Sequence, residues 1–264
     1  MQERHQDRFR YFNELAATSR EYFIPYINSH FPIMAGTQVL EIGCGEGGNL
    51  LPFARKGCRV TGVDIAKTRI NQAEEFFREA KAEGKFIASD IFLLKDLEGV
   101  FDVIICHDVF EHIAAKQKLL EQLHHYLKPG GVIFFSFPAW QMPFGGHQQI
   151  CRNHLTSHLP FIHLLPTYFY RKLLQASGED SSCIAELMSI KETGVTIEQF
   201  EHLTQITNWE IENRLLYFIN PHYQVKFRLT PRKLWQPLTH LPILRNFLCT
   251  SCFYLLRDKS CSSR

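Results

Sequence analysis

The chain has 264 residues, long enough for one domain with insertions or a domain plus a small cap, and 45% of them are hydrophobic. A formal net charge of +2 argues against wholesale nucleic-acid binding, and no apolar run reaches the roughly 18 residues of a transmembrane helix. Eight scattered Cys, several inside expected core strands, together with a charged N-terminus unlike a signal peptide, point to a reduced, cytoplasmic protein.

In chain order, residues 5–31 read as one or two amphipathic helices. Phe9, Phe12 and Leu15 recur at helical spacing, then Tyr22, Phe23, Tyr26 and Ile27, and Pro25 and Pro32 break or end the run. This segment would pack on a sheet edge or close over a site as a lid. Val39-Leu40-Glu41-Ile42 is a short apolar strand running into the turn Gly43-Cys44-Gly45-Glu46-Gly47-Gly48, with helix-compatible residues 49–56 behind it. A second strand, 59–64, ends in Asp64. A helix follows over 67–82, and a third strand, 85–89, leads into Asp90-Ile91. The apolar run 101–106 reads as a buried parallel strand, 114–127 as a helix closed by Lys128-Pro129-Gly130-Gly131, and 132–137 as the fifth strand. This alternation implies right-handed βαβ units, a parallel sheet, and ligands at the strands' carboxyl ends.

Beyond the fifth strand the pattern changes. Residues 138–193 hold prolines, glycines, aromatics and four histidines, with a helix over 167–177, and read as a substrate-facing insertion or cap. A helix over 195–207 and a strand over 209–219 follow. Residues 221–246 are proline-broken and basic, 247–257 is a last strand, and the tail from 258 is expected to be loose. Cys249 and Cys252, three apart on that strand, should point to opposite faces, which disfavours a metal or redox pair. The expected division is 1–34, 35–137, 138–195, 196–257 and the tail 258–264.

Gly43, Gly45 and Gly48 fit G-x-G-x-x-G, so a dinucleotide site has to be considered. Glu41 argues against it: a carboxylate at that strand end repels a pyrophosphate and attracts an ammonium or a sulfonium. Asp64, about 20 residues beyond the first glycine, suits vicinal ribose hydroxyls, or else caps the next helix. The alternative reading of Asp90 is a turn acid.

The pattern Glu41-x-Gly43-x-Gly45-x-Gly47 after a first strand resembles the first motif of class I S-adenosyl-L-methionine-dependent methyltransferases, and the resemblance covers roughly residues 35–140. It implies an α/β, Rossmann-like, seven-stranded, mostly parallel sheet with one antiparallel hairpin strand. It also implies S-adenosyl-L-methionine as cofactor, held by Glu41, Gly43, Cys44, Gly45, Asn49, Asp64, Ile65, Asp90, Ile91, His107 and Asp108. In the family, an acid at the position of Asp90 accepts from the adenine amino group, and the next residue, here Ile91, covers the ring.

In-line methyl transfer draws on positioning, and an oxygen acceptor must also lose its proton to a side chain or a metal. His107, Asp108, Glu111 and His112 form one candidate cluster. Its acid-x-x-Glu-His arrangement is similar to one tied to a metal in ubiquinone-pathway O-methyltransferases. Yet Glu-His-Ile also occurs in methyltransferases without any metal, where the pair shapes the pocket floor. His112 is a candidate base, and His147, behind Gly145 and Gly146, is another, with Trp140 and Phe144 as possible walls for a planar acceptor. His154 and His158 stand at i, i+4 with His163 beyond, but no third ligand completes a zinc set nearby. The expectation is methyl transfer to a small molecule at oxygen, with His147 and His112 as catalytic groups and no resident metal. Two competing readings are a non-catalytic binding protein on the same fold and a nucleic-acid methyltransferase. Lys226, Arg228, Arg232 and Lys233 near Phe227 and Trp235 speak for the latter. The absence of an Asn/Asp-Pro-Pro-Tyr tetrad after the fourth strand speaks against it.

Overall fold

The computed structural model describes residues 7–94, 97 and 99–261. The first helical run is continuous: α1 (Arg8–Thr18), a π-turn over Ser19–Phe23, then α2 (Ile24–Asn28). Asp7 caps its start by accepting from the Arg10 N–H. Residues 5 and 6, where the sequence pattern begins, lie outside the described residues. Pro25 does not break the run. The π-turn widens the ladder just before it, so the missing proline N–H falls where the hydrogen-bond register is already interrupted.

The sheet is built from β1 (Gln38–Ile42), β2 (Arg59–Asp64), β3 (Lys85–Ala88), β4 (Phe101–His107), β5 (Leu127–Phe137), β6 (Trp209–Ile219), β7 (Arg232–Lys233) and β8 (Ser251–Asp258). Its order is β3-β2-β1-β4-β5-β8-β6-β7. The first five strands are mutually parallel, and β8 runs antiparallel to both β5 and β6. The expected seven strands become eight because the proline-broken basic stretch adds the two-residue β7 at the open edge, paired with Tyr217 and Ile219.

Side chains alternate between two apolar layers, as a sheet covered on both faces requires. Val103 and Ile105 of β4 face the cluster containing Phe12, Phe23, Ile27 and Phe53, whereas Ile104 and Cys106 face the other one. The first layer is closed by α1, α2, α3 (Leu51–Arg55) and α4 (Lys67–Glu79). The second is closed by α5 (Lys116–Tyr126) through Leu119, Leu120 and Leu123, and by Phe200 from the helix that precedes β6. The turn expected at 128–131 is absorbed as an irregularity at the start of β5. Phe101 pairs with Leu127 and Val103 with Val132, while Lys128 Nζ reaches both Asp102 carboxylate oxygens at 3.0 Å.

The segment after β5 carries α6 (His154–His158), α7 (Thr167–Ala176) and α8 (Ser181–Thr193), and has its own small core of Cys151, Ile162, Tyr170, Leu174, Ile184, Leu187 and Met188. After it come α9 (Ile197–Ile206) and, beyond β6, α10 (His222–Phe227). The sequence pattern missed α8, which the Asp180 side chain starts by accepting from the Cys183 N–H at 2.8 Å.

Three further expectations are corrected. The last strand begins at Ser251, not at 247, because 244–248 is helical. Cys249 therefore precedes the strand, the two-residue alternation does not apply to it, and its sulfur lies 3.5 Å from that of Cys252. The tail is not loose at its start: Asp258 ends β8 and Lys259–Cys261 is a 3₁₀ turn, while 262–264 lie outside the described residues.

The third motif glycine is explained by packing. A Cβ on Gly48 would sit 2.5 Å from the Phe12 carbonyl oxygen and 2.8 Å from Leu15 Cβ, so α1 lies directly on the glycine turn. Ser19 Oγ adds a 2.8 Å hydrogen bond to the Asn49 carbonyl. Gly48→Ala is expected to destabilise the fold by about 1–3 kcal/mol through overpacking, read as a lower urea midpoint at constant slope. An unchanged midpoint would contradict this close seating of α1.

Candidate active site

The turn after β1 is shaped by positive φ values at Gly43 (65°), Gly45 (52°) and Gly47 (80°). Two acids fix it. Asp64, at the end of β2, accepts the Gly45 N–H at Oδ2 (2.9 Å) and the Ala66 N–H at Oδ1 (2.8 Å). Glu41 Oε1 accepts from Asn49 Nδ2 at 2.7 Å. Glu41 is 1% exposed and does not line the open cavity. Its carboxylate, expected to face a ligand, lies under the turn on the α1–α3 side. Burial pushes its pKa up to about 8, with the Asn49 hydrogen bond opposing and Asp64 adding to the rise. Cys44 is buried, its sulfur filling the space where a Gly62 Cβ would stand, so it packs the turn.

A cavity of about 480 Å³ opens at the carboxyl ends of β1–β4. Gly43, Asp64, Ile65, Asp90 and Ile91 line it, and Asp108 and His112 close its far side. Ile65 is 79% exposed, a large apolar side chain left open beside the cavity. Asp90 also caps the 3₁₀ turn Ile91–Leu93, accepting from the Phe92 N–H at 2.9 Å, so the turn-acid role and a place at the cavity coexist. Opposite Gly43 the wall is Val109, whose Cγ2 would be 2.3 Å from a Cβ there. Beside Gly45 there is open space, with only Arg69 Nη1 at 3.9 Å.

Three polar atoms around this turn, Glu41 Oε2, Asn49 Oδ1 and His107 Nδ1, are buried with no hydrogen-bond partner among the described residues. Such atoms are costly unless a ligand or water completes them. Two acceptors and one imidazole nitrogen beside an open glycine cradle fit a cationic, phosphate-free nucleoside better than a pyrophosphate.

The 107–113 segment follows β4. His107 Nε2 lies 3.5 Å from Asp108 Oδ2, and its ring meets Phe23 edge-to-face at 4.8 Å. Asp108 adopts φ 51°, an uncommon conformation for a non-glycine residue, held by its N–H donating to the Ser136 carbonyl at 2.8 Å. Glu111 is 3% exposed, and neither carboxylate oxygen has a hydrogen-bond partner among the described residues. Burial and the Asp108 charge push its pKa well up, although Lys116 opposes them. His112 stands at the cavity, and burial holds its pKa below the ordinary imidazole value despite Asp108.

His147 does not line the cavity. It stands behind His112, with ring centroids 5.0 Å apart and edge-to-face, at φ 56°. Burial, His112 and His163 press its pKa down to about 3, so it is a neutral imidazole. Glu111, His112 and His147 bring ligand atoms within 4.8 Å of one another, a donor set able to hold a divalent ion. In this set His147 stands where the sequence grouping had Asp108. Trp140 is no acceptor wall: Gly194 packs on its ring and the His163 Nε2–H donates to its carbonyl at 2.8 Å. Phe144 lines a second cavity of about 480 Å³ with His154, His158, Tyr223 and Phe227. The His154 and His158 rings simply stack, with centroids 4.1 Å apart.

Sequence reasoning missed Arg69 and Glu186, which line the main cavity from α4 and α8. It also missed Tyr11 of α1 and Tyr223 of α10. Burial raises the pKa of both hydroxyls and the Asp108 charge raises them further, which places both near that carboxylate. Arg69, one turn into the helix after Asp64, was findable from its position. The other three come from segments whose docking no local pattern specifies.

The methyltransferase-domain family model matches residues 33–200. A ubiquinone biosynthesis O-methyltransferase of Rickettsia canadensis (strain McKiel) is 32% identical over 116 residues, covering 44% of this chain and 49% of the relative, so the chain spans about half the length of the curated relatives it matches. A solved S-adenosylmethionine-dependent methyltransferase from Clostridium acetobutylicum ATCC 824 superposes with TM-score 0.59 at 13% identity, over 92% of this chain and 91% of that one. The plantazolicin methyltransferase BpumL, solved in complex with SAH, superposes with TM-score 0.53 at 18% identity, over 97% and 87%. At such identities these structures establish the shared fold. With the family match over more than half its length, the chain belongs to the methyltransferase-domain family, the class I S-adenosyl-L-methionine-dependent enzymes that its glycine motif resembles.

Proposed function

We propose that this protein transfers a methyl group from S-adenosyl-L-methionine to an oxygen of a small-molecule acceptor. The observation that carries the reading is a single cavity in which the nucleoside-side residues Gly43, Asp64, Asp90 and Ile91 share walls with Asp108 and His112. A hydroxyl acceptor is favoured by the imidazole at the cavity and by the name of the Rickettsia canadensis relative, an O-methyltransferase of ubiquinone biosynthesis.

When bound, S-adenosyl-L-methionine supplies an electrophilic methyl on a sulfonium. Glu41 and Asn49 complete a cationic amino group with their spare oxygens. Asp64 accepts from ribose hydroxyls while it holds the Gly45 N–H, and Asp90 and Ile91 take the adenine edge and face. His112 accepts the acceptor's proton on its imidazole. His147 is the positioning residue: it abuts the His112 ring, and its depressed pKa keeps it from competing for that proton. Tyr11 and Tyr223 close the Asp108 side and exclude water. A second reading, in which Glu111, His112 and His147 hold a divalent ion that activates the acceptor oxygen, is favoured by the mutual approach of their ligand atoms.

Glu41→Gln keeps a hydrogen bond to Asn49 but puts an amide NH2 where the unpaired carboxyl oxygen stands, turning an acceptor for a cationic amino group into a donor facing it. It is expected to weaken S-adenosyl-L-methionine binding by about 10- to 100-fold in calorimetry, the range of a lost charge-assisted bond. Unchanged affinity would remove Glu41 from the ligand shell.

Turnover is tested by mass spectrometry of S-adenosylhomocysteine and methylated product with hydroxylated aromatic acceptors. Because burial lowers the His112 pKa, kcat/KM is expected to fall as pH drops through a value below about 6.5, the unprotonated imidazole being the active form. His112→Ala should cut turnover by about 10²- to 10⁴-fold and abolish that acid limb. A full limb in the variant would exclude His112 as base, and loss of turnover on chelation, restored by metal, would favour the second reading.

A further inference from the structure

The segment between β5 and α9 holds a second group of chemically capable side chains, away from the main cavity. The sulfurs of Cys151 and Cys183 and a carboxylate oxygen of Glu179 all lie within 4.8 Å of one another. Cys151 and Glu179 are buried and Cys183 is half-buried in the first turn of α8.

The Glu179 carboxylate is held from three sides. Its Oε2 accepts the Arg152 N–H at 2.9 Å, and its Oε1 accepts the Asn153 N–H at 2.9 Å and the Thr156 hydroxyl at 3.3 Å. Burial pushes its pKa up, but these donors outweigh burial and hold it below the usual carboxylate range. Burial and the neighbouring acid push both thiols up, Cys183 to about 12. The one arginine at hand, Arg152, is paired with Asp180 at 2.8 Å. A fixed carboxylate thus faces two soft donors with no resident cation among the described residues.

A second observation points into the same spot. Tyr170 is 0% exposed and its hydroxyl has no hydrogen-bond partner among the described residues. Tyr170 and Cys151 share the same small core, with Cys183 packed against it. A buried phenol left unpaired next to neutral thiols is poorly accommodated, whereas next to a thiolate or a metal-bound water it has an acceptor.

We propose that Cys151, Cys183 and Glu179 form a structural site for a thiophilic divalent cation, Zn²⁺, that ties the loop after His147 to α8. Two sulfurs and one carboxylate oxygen suit zinc, whose Zn–S bonds of about 2.3 Å put tetrahedral ligand atoms about 3.8 Å apart, a small contraction from the spacing seen. The hydrogen bonds to Glu179 are the outer shell such a ligand needs. Binding forms two Zn–S bonds and one Zn–O bond and releases the two thiol protons to solvent, with no change of oxidation state. Water fills the fourth position, within reach of Tyr170. The site would matter to the main cavity because it lies four residues beyond His147 and one turn before Glu186, so the ion would fix two elements that flank it.

The test uses the full chain purified under reducing conditions without chelator, then stripped and titrated with Co²⁺ or Zn²⁺. The expected results are about one zinc per chain as purified, and a thiolate-to-cobalt charge-transfer band on Co²⁺ addition. Cys151→Ser and Cys183→Ser should each abolish the band. Thr156→Val, which removes one of the three hydrogen bonds to Glu179 together with that to the Asn153 carbonyl, should weaken Zn²⁺ affinity by about 10- to 100-fold. Glu111→Gln should leave the band intact, which separates this site from the Glu111, His112 and His147 set. The proposal is overturned by Co²⁺ binding without a thiolate band, by retention of zinc in both cysteine variants, or by a stable Cys151–Cys183 disulfide in the freshly purified chain.

Discussion

The arrangement depends on the carboxylate of Asp64. One oxygen takes the Gly45 N–H and the other the Ala66 N–H, so the glycine turn after β1 is fastened to the end of β2. Each oxygen has capacity for a further hydrogen bond, and Asp64 also lines the cavity, so the residue that sets the backbone stands at the open space. Glu41 does the same from beneath, holding Asn49 with one oxygen and leaving the other unpaired.

Around this clamp the molecule sorts its polar groups by protonation. Glu111, deep beside Asp108, is pushed toward the neutral acid, and His147 is pressed toward the neutral imidazole. His112, between them and the cavity, is the imidazole at the open face. Burial differences across a few ångströms thus give three neighbouring groups different protonation tendencies. The Asp108 charge acts on Tyr11 of α1 and Tyr223 of α10, and α1 itself is seated on Gly48.

Which residues line the main cavity was largely legible in the sequence, because strand–turn–helix units bring strand ends together: Gly43, Asp64, Asp90 and Asp108 end a strand or lie within two residues of one. The class of fold followed from the same rhythm. What was not legible depends on long-range docking. Glu41 was expected to face the ligand, but its strand parity puts it on the α1–α3 face, where Asn49 meets it. His147 was expected to reach the acceptor, and instead backs His112 with its backbone in the αL conformation, behind a Gly146 that His163 packs against. Strand β7 and α8 escaped notice because two residues carry no periodicity and a capped helix inside an irregular segment is easily overlooked.

The central claim is that a glycine turn clamped between Glu41 and Asp64 selects a cationic nucleoside without phosphates. Isothermal titration of the full chain with S-adenosylhomocysteine and, separately, with NAD tests it most directly. The account predicts saturable one-to-one heat with S-adenosylhomocysteine and none with NAD; tight uptake of NAD with no response to S-adenosylhomocysteine would contradict it.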